Sequence, residues 1–226
     1  MIALVAVAWV TLVVCLLAHE IGHWSAARRL GIGVRRVAVG VGPVLLRLPL
    51  RGDPLELRLV PVGAAVVFCA PVQTLPGWHR LMLAAAGPAA SVATGVIALW
   101  AAYLVIGQGE AALAAAAGAV VDITHGIWIQ GWRMIEPLSV VPPAPAGPAM
   151  TWPAGSALVP SCLALIGIVS TSIGVFNLLP VPPLDGAAML AGIASAIGGQ
   201  QAADRITDGL FVLGVAAVVL VVVAGM

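Results

Sequence analysis

The sequence predicts an all-α, polytopic membrane protein with four transmembrane helices and a small membrane-associated β-sheet after the first helix. Hydrophobic residues make up 62% of the chain and charged residues 8%, and the mean hydropathy is +1.12, whereas soluble domains carry roughly 25% charged residues. The apolar residues form runs long enough to cross a bilayer, which needs about 20 residues. One segment, residues 34–68, alternates instead and is broken by Gly and Pro, which is typical of strands.

Net charge and cysteine content indicate which partners and which environment to expect for this protein. The formal net charge is +1, and no Lys/Arg tract is long enough to predict a nucleic-acid partner. The three cysteines, Cys15, Cys69 and Cys162, are odd in number and lie in apolar sequence. We therefore expect buried free thiols in a protein whose surroundings are the lipid bilayer.

The first predicted span covers residues 1–30, and Gly31 and Gly33 mark its end. The run from Ile2 to Ala18 lacks the basic region that opens a signal peptide, so we interpret it as a retained transmembrane helix. Eight of the ten arginines lie within residues 28–80. The positive-inside rule places that region in the cytoplasm and the N-terminus outside.

A His-Glu-x-x-His motif, formed by His19, Glu20 and His23, follows this apolar run directly. On a helix the two histidines lie on one face, where two imidazole nitrogens can bind one zinc. Glu20 projects about 100° around the helix and can face a water on that metal. Zinc lowers the pKa of its bound water from about 15.7 to about 7, so that a carboxylate can accept the proton. The motif therefore predicts the chemistry of peptide hydrolysis.

A structural zinc is the alternative to a catalytic one. Structural sites usually have four protein ligands, and this motif supplies two. An ionisable residue on a membrane-spanning helix costs about 2.5–3.5 kcal/mol on insertion scales and is kept mainly for function. We therefore favour Zn²⁺ as a catalytic cofactor and leave the structural site open.

Residues 34–68 are predicted to form a small sheet at the membrane surface. The stretch Arg51-Gly52-Asp53-Pro54 is a turn, and the residues from Leu55 to Val60 alternate between apolar and polar. Two roles are open for this sheet. It is either a plain lid over the core or a strand that pairs with an extended substrate.

The second predicted span covers residues 81–106, with Trp78, His79 and Arg80 at its cytoplasmic interface. His79 is interpreted as an interface residue and not as a ligand. Gly87 and Pro88, near the start of the span, predict a kink or close helix packing.

Residues 107–156 are predicted to form an outer loop with an amphipathic helix on the outer membrane face. Between Val120 and Ile135 apolar residues are interleaved with polar ones, which suits a surface helix better than a span. His125 is assigned to the polar face of that helix. The proline-rich stretch 142–148 is expected to be a stiff connector.

The third predicted span covers residues 157–186. Pro180, Pro182 and Pro183 must break its helix at membrane depth, which is tolerated only where the backbone is buried in protein or lines a water-filled cavity. The break in the helix is expected to place Asp185 in that cavity, where a carboxylate can be ion-paired, protonated or metal-bound. We favour metal binding, because the histidine motif lacks a third ligand.

The fourth predicted span covers residues 205–226, after a short helix from Ala187 to Ile197. Residues 1–226 then form a single domain in the cell membrane with both termini outside. Its active site is expected to open toward the cytoplasmic side.

The ordered pair of HExGH near one end and N-x-x-P-x-P-P-L-D-G near the other resembles the site-2 protease family of intramembrane zinc metalloproteases. Shorter segments are similar to further motifs of that family. These are Val39 to Pro43 for F-G-x-G-P, Pro61 to Ala64 for P-x-G-G, Ala86 to Ser91 for A-G-P-x-x-N, and Gly147-Pro148 for G-P. Ala64, Ser91 and the valines around Gly40 depart from the family pattern and leave the metal-binding motifs unchanged.

The resemblance implies His19, His23 and Asp185 as zinc ligands and Glu20 as the general base. It also implies that Asn177 orients the substrate or stabilises the oxyanion, a role that suits an amide donor. No PDZ or CBS domain is expected, because the stretches beside the second span are too short.

The function that the resemblance implies is zinc-dependent hydrolysis of peptide bonds in or near the transmembrane segments of single-span proteins, known as regulated intramembrane proteolysis. Membrane-bound anti-sigma factors and signal-peptide remnants are the implied substrates. Two other classes stay open. A membrane metal transporter would need further ligands along its spans, and a non-catalytic membrane scaffold would tolerate the loss of zinc and of Glu20.

Overall fold

The computed structural model describes residues 2–135 and 158–224, and it has the predicted fold class: helices with one small sheet after the first helix. Single 3₁₀ turns at Val72–Thr74 and Gly109–Ala111 precede the second and third helices. In chain order the elements are α1 (Ile2–Arg29), β1 (Val34–Leu50), β2 (Asp53–Phe68), α2 (Gly77–Val105), α3 (Ala112–Ile135), α4 (Leu158–Asn177) and α5 (Asp185–Ala224).

Four stretches of helix in the described part of the chain are long and apolar enough to cross a membrane. They are Val5–Arg29, Gly77–Val105, Gly109–Ile129 and Leu158–Asn177. The chain is therefore a multi-pass membrane protein, as its composition predicts.

The third of these stretches differs from the sequence interpretation, which favoured a surface helix within residues 107–156. Asp122 and His125 interrupt an otherwise apolar segment, and they do not prevent it from reaching a spanning length and hydropathy. Gly199 has non-helical backbone angles (φ 76°, ψ −177°) and breaks α5 directly after the predicted short helix from Ala187 to Ile197. The predicted fourth span, 205–226, falls in the second part of α5, which is helical to Ala224. The proline-rich connector and Gly147-Pro148 lie outside the described residues.

The sheet folds back on itself because both strands bend at glycines. Arg51 and Gly52 form the predicted turn between β1 and β2, with φ of 49° and 97°. Positive φ also occurs at Gly40, Gly42 and Gly63 (89°, 87° and 75°). Residues 37–39 of β1 consequently pair with residues 64–66 on one side and with residues 55–57 on the other. Residues 64–68 are left as one edge of the sheet.

The sheet lies along the apolar length of α1, so it is not confined to a surface position beyond the end of that helix. The indole of Trp24 donates to the Asp53 carboxylate (2.8 Å), and the indole of Trp9 donates to the Leu59 carbonyl (3.0 Å). Trp24 follows Trp9 by fifteen positions on the helix, a rise of about 22 Å. Leu59 and Val62 near the bend are exposed and apolar, which suits contact with lipid.

Helix α2 is the centre of the helical layer and packs against α1, α3, α4 and α5. Small residues allow these close approaches, as is usual between membrane helices. A Cβ on Gly22 of α1 would collide with the Ala86 carbonyl of α2, and one on Gly174 of α4 would lie 2.9 Å from the Pro88 carbonyl. This packing fixes the distance between α1 and α2 at the histidine motif.

Candidate metal centre

Three potential metal-ligand atoms converge between α1 and the start of α5. The Nε2 atoms of His19 and His23, one helical turn apart, are separated by 3.2 Å. The Asp185 Oδ2 lies 3.0 Å from the His19 Nε2 and 3.3 Å from the His23 Nε2. Asp185 reaches this point because α4 ends at Asn177 and the proline-containing segment 178–184 leads directly into α5. The structure thus brings together the three residues that the sequence singled out.

The distances between the three ligand atoms fit a tetrahedral zinc site. With zinc-to-ligand bonds of about 2.0–2.1 Å, ligand atoms in a tetrahedral site lie about 3.3 Å apart, close to the three observed distances. Two imidazoles and one carboxylate are also a donor set of catalytic zinc sites, which keep a fourth position for water or substrate. In the described part of the chain, these residues are the one group of three or more His, Cys, Asp or Glu side chains with such convergence.

The outer nitrogens of both imidazoles are held by α2. The His23 Nδ1 lies 2.8 Å from the Leu83 carbonyl oxygen, which can only accept, so this nitrogen carries the proton. The His19 Nδ1 lies 2.9 Å from the Ser91 hydroxyl oxygen, which can accept in the same way. These contacts leave the Nε2 lone pairs of both rings directed at the metal position and fix the orientation of the rings.

Gly87 of α2 lies directly against the ligand atoms. A Cβ at this position would collide with the His23 Nε2 and would lie 2.7 Å from the His19 Nε2. Only a glycine leaves room here for the imidazoles. The predicted close packing is observed at Gly87, and α2 continues as a helix through Pro88.

Glu20 shares a cavity of about 800 Å³ with the three converging residues. The side chain is buried, and the backbone N–H of Val66 on the sheet edge is directed at its carboxylate. Glu20 is not one of the three converging donors. It is therefore available to act on a water or on a substrate in the cavity.

Asn177, the last residue of α4, lines the same cavity. Its amide nitrogen donates to the Ile173 carbonyl of its own helix (2.9 Å). The structure places Asn177 beside the site, and its role stays a prediction. His79 and His125 do not line the cavity.

Sequence reasoning missed two members of this site. Ser91 was noted only as a departure from a family motif, and the Leu83 carbonyl carries no side-chain signal at all. Both lie on the α2 face that packs against α1, more than 55 residues from the histidines they hold (separations of 72 and 60). The position of Ser91 in the A-G-P-x-x-S segment was the one available signal.

Replacing Ser91 with alanine is expected to weaken zinc binding about 10- to 100-fold, because the His19 ring loses the group that orients it. The zinc dissociation constant can be measured in detergent by competition with a fluorescent chelator. Ser170→Ala is the matched control, since the Ser170 hydroxyl donates to the Ser91 carbonyl (2.9 Å) and not to a histidine. Equal affinities of Ser91→Ala and Ser170→Ala would contradict the assigned contact.

Known proteins are similar to this chain in sequence. The sequence profile described as peptidase family M50 matches residues 7–221. Proteins named as candidate zinc metalloproteases in Synechocystis sp. and Nostoc sp. are each 42% identical over 57 residues, which is 25% of this chain and 16% of each relative. A protein of the same description in Campylobacter jejuni is 33% identical over 63 residues, 28% of this chain and 17% of the relative. The aligned segment thus spans less than a fifth of the length of these relatives.

Proposed function

This chain belongs to peptidase family M50, the site-2 protease family, and from that premise we propose that it is a zinc-dependent intramembrane endopeptidase. The observation that carries the proposal is the convergence of the His19, His23 and Asp185 donor atoms in one cavity with Glu20. The chain would hold zinc with those three donors. When bound, zinc acts as a Lewis acid on the substrate carbonyl and lowers the pKa of a water.

Glu20 is the general base in this proposal. Its carboxylate takes a proton from the water whose oxygen attacks the carbonyl carbon of the peptide bond, and it then returns the proton to the departing amine. Ser91 and the Leu83 carbonyl keep the imidazoles in place during both steps. Asn177 would donate to the oxyanion after its amide turns from the Ile173 carbonyl into the cavity.

The edge formed by residues 64–68 is proposed to hold the substrate. A helical membrane segment exposes no peptide bond to water, so the substrate must unwind before cleavage. Ala64, Ala65 and Val66 line the cavity and pair with β1 on one side only. An unwound segment can add to the other side as a further strand, which satisfies its backbone N–H and C=O groups.

Disulfide crosslinking tests this strand addition. A cysteine at Ala65, in the Glu20→Gln and Cys69→Ala background, is expected to crosslink to substrate cysteines at every second position, because alternate side chains of a strand share a face. Leu45→Cys on the opposite edge is the control, since its side chain is 54% exposed and lies outside the cavity. Crosslinking from Ala65 at every third or fourth position would show a helical substrate and contradict strand addition.

The proposed substrates are single-span membrane proteins, with anti-sigma factors and signal-peptide remnants as the classes implied by the family. In this proposal the N-terminus lies outside and the site opens toward the cytoplasm, because most arginines follow α1. Membrane proteomes of cells carrying the wild type or Glu20→Gln are expected to differ by accumulation of one single-span protein in the variant. Identical proteomes under every growth condition would favour a non-catalytic scaffold.

A further inference from the structure

Arg80 is a buried cation that the proposed mechanism does not use. It lies in the first turn of α2 and lines the cavity that contains the metal centre. Its exposed fraction is 8%, and it is the one buried arginine among the residues whose burial the structure describes. A buried guanidinium normally has a carboxylate partner, because an unpaired buried charge is costly.

The observed partner of Arg80 is an amide and not a carboxylate. The Arg80 Nη1 donates to the Gln200 Oε1 (2.9 Å), and the Gln200 amide nitrogen donates to the Asp204 carboxylate (2.7 Å). Within the described ranges, no carboxylate oxygen lies within 4.0 Å of the Arg80 side chain. The other guanidinium nitrogens of Arg80 are not among the buried unpaired atoms of the described residues, so they are open to the cavity and can bind water or an anion there.

The position of Arg80 on α2 indicates how far along a bound peptide it lies from the cleaved bond. Leu83, whose carbonyl holds His23, follows Arg80 by three residues, a rise of about 4.5 Å along α2. An extended peptide advances about 3.3 Å per residue. For a peptide that runs alongside this part of α2, a side chain that reaches Arg80 would lie within about three residues of the peptide bond at the metal centre.

We propose that Arg80 determines specificity by binding a substrate carboxylate within about three residues of the cleaved bond. The inference rests on the proposed function, because it assumes that a peptide occupies this cavity. Arg80 and a carboxylate can form two parallel N–H···O bonds. Much of the surrounding wall consists of small apolar residues, Ala84, Ala187, Ala188 and Ala191 among them, which offer no competing side-chain donor.

Besides Glu20 and Asp185, two further carboxylates line this cavity, those of Asp204 and Asp208. Both residues are exposed, and Asp204 is engaged by Gln200. Their negative charge opposes a bound anion, so removing one is expected to strengthen carboxylate binding. If Arg80 served only to connect α2 to α5 through Gln200, loss of Asp204 and loss of Arg80 would change the affinity for a carboxylate-bearing peptide in the same direction.

Peptide binding to the zinc-loaded Glu20→Gln protein in detergent tests the proposal without requiring hydrolysis. The probes are fluorescent apolar 20-residue peptides with a single Glu, Gln or Lys scanned through the central six positions. A Glu peptide is expected to bind about 10- to 100-fold more tightly than its Gln counterpart at one or two adjacent positions. Two further peptides end at that position, one in a free C-terminal carboxylate and one in an amide. Tighter binding of the first would show that Arg80 binds the C-terminus of a product and not a side-chain carboxylate.

Substitutions distinguish carboxylate binding by Arg80 from a purely structural role of Arg80 between α2 and α5. Arg80→Gln should abolish the preference for Glu, Arg80→Glu should replace it with a preference for Lys, and Asp204→Asn should enlarge it. Arg205→Gln is the control, because this exposed arginine does not line the cavity. A Glu preference that survives Arg80→Gln, or equal binding of all peptides to the parent protein, would overturn the proposal. If the parent protein prefers the Glu peptide but protein with the native Glu20 does not hydrolyse any of the peptides, the result would instead count against the protease function.

Discussion

Glu20→Gln is expected to lower the rate of peptide hydrolysis about 10²- to 10⁴-fold, the usual contribution of a general base, while the protein keeps its zinc. Glutamine has the same shape but cannot accept a proton from water. Zinc should remain because Glu20 is not among the three converging donors. Cleavage of a purified single-span substrate in detergent gives the rate, and elemental analysis gives the zinc content.

Glu110→Gln is the matched control for this prediction. Glu110 is exposed, lies in the turn before α3 and does not line the cavity, so its substitution should leave both rate and zinc content unchanged. Full activity of Glu20→Gln would refute the assigned base. Loss of zinc in Glu20→Gln would instead mean that Glu20 is a ligand.

Gly87→Ala is expected to weaken zinc binding by about 100-fold or more, beyond the usual effect of losing a group that only orients a ligand. The added methyl group would occupy the space of the two Nε2 atoms, so α1 and α2 must separate or the imidazoles must turn away. Hydrolysis should be lost together with the metal. Titration with a fluorescent zinc chelator measures the first effect, and the cleavage assay measures the second.

Gly126→Ala provides the comparison for Gly87→Ala. Gly126 is also a helical glycine, in α3, and a Cβ there meets no atom within 4 Å. This change should leave zinc affinity unaltered and favour the helix by up to about 1 kcal/mol. If Gly87→Ala bound zinc as tightly as Gly126→Ala, the close contact between α2 and the histidines would be wrong.

The two halves of the metal centre could be found in the sequence because each has a local signal. The four-residue spacing of His19 and His23 places both on one helix face. The prolines before Asp185 must interrupt a helix and leave the carboxylate at its end. The family motifs joined these two signals, although 166 residues separate His19 from Asp185.

The features that the sequence did not predict depend on contacts between distant segments. Trp9 and Leu59 are 50 residues apart, so the position of the sheet along α1 has no local pattern. The double pairing of residues 37–39 requires positive φ at several glycines that sequence alone presents as ordinary breaks. In α3, the polar residues Asp122 and His125 favoured a surface helix, yet the total hydropathy of the segment reaches that of a span.

The position of Asp185 at the start of α5 also determines when the three donor residues can come together during synthesis of the protein. Ribosomes make α1 before α5, so the two histidines are synthesised before the Asp185 carboxylate, which follows His19 by 166 residues. A nascent chain that stops before α5 carries Glu20 and both imidazoles but only two of the three donors. Newly inserted α1 and α2 would therefore lack a complete metal centre until the segment that carries Asp185 has left the ribosome.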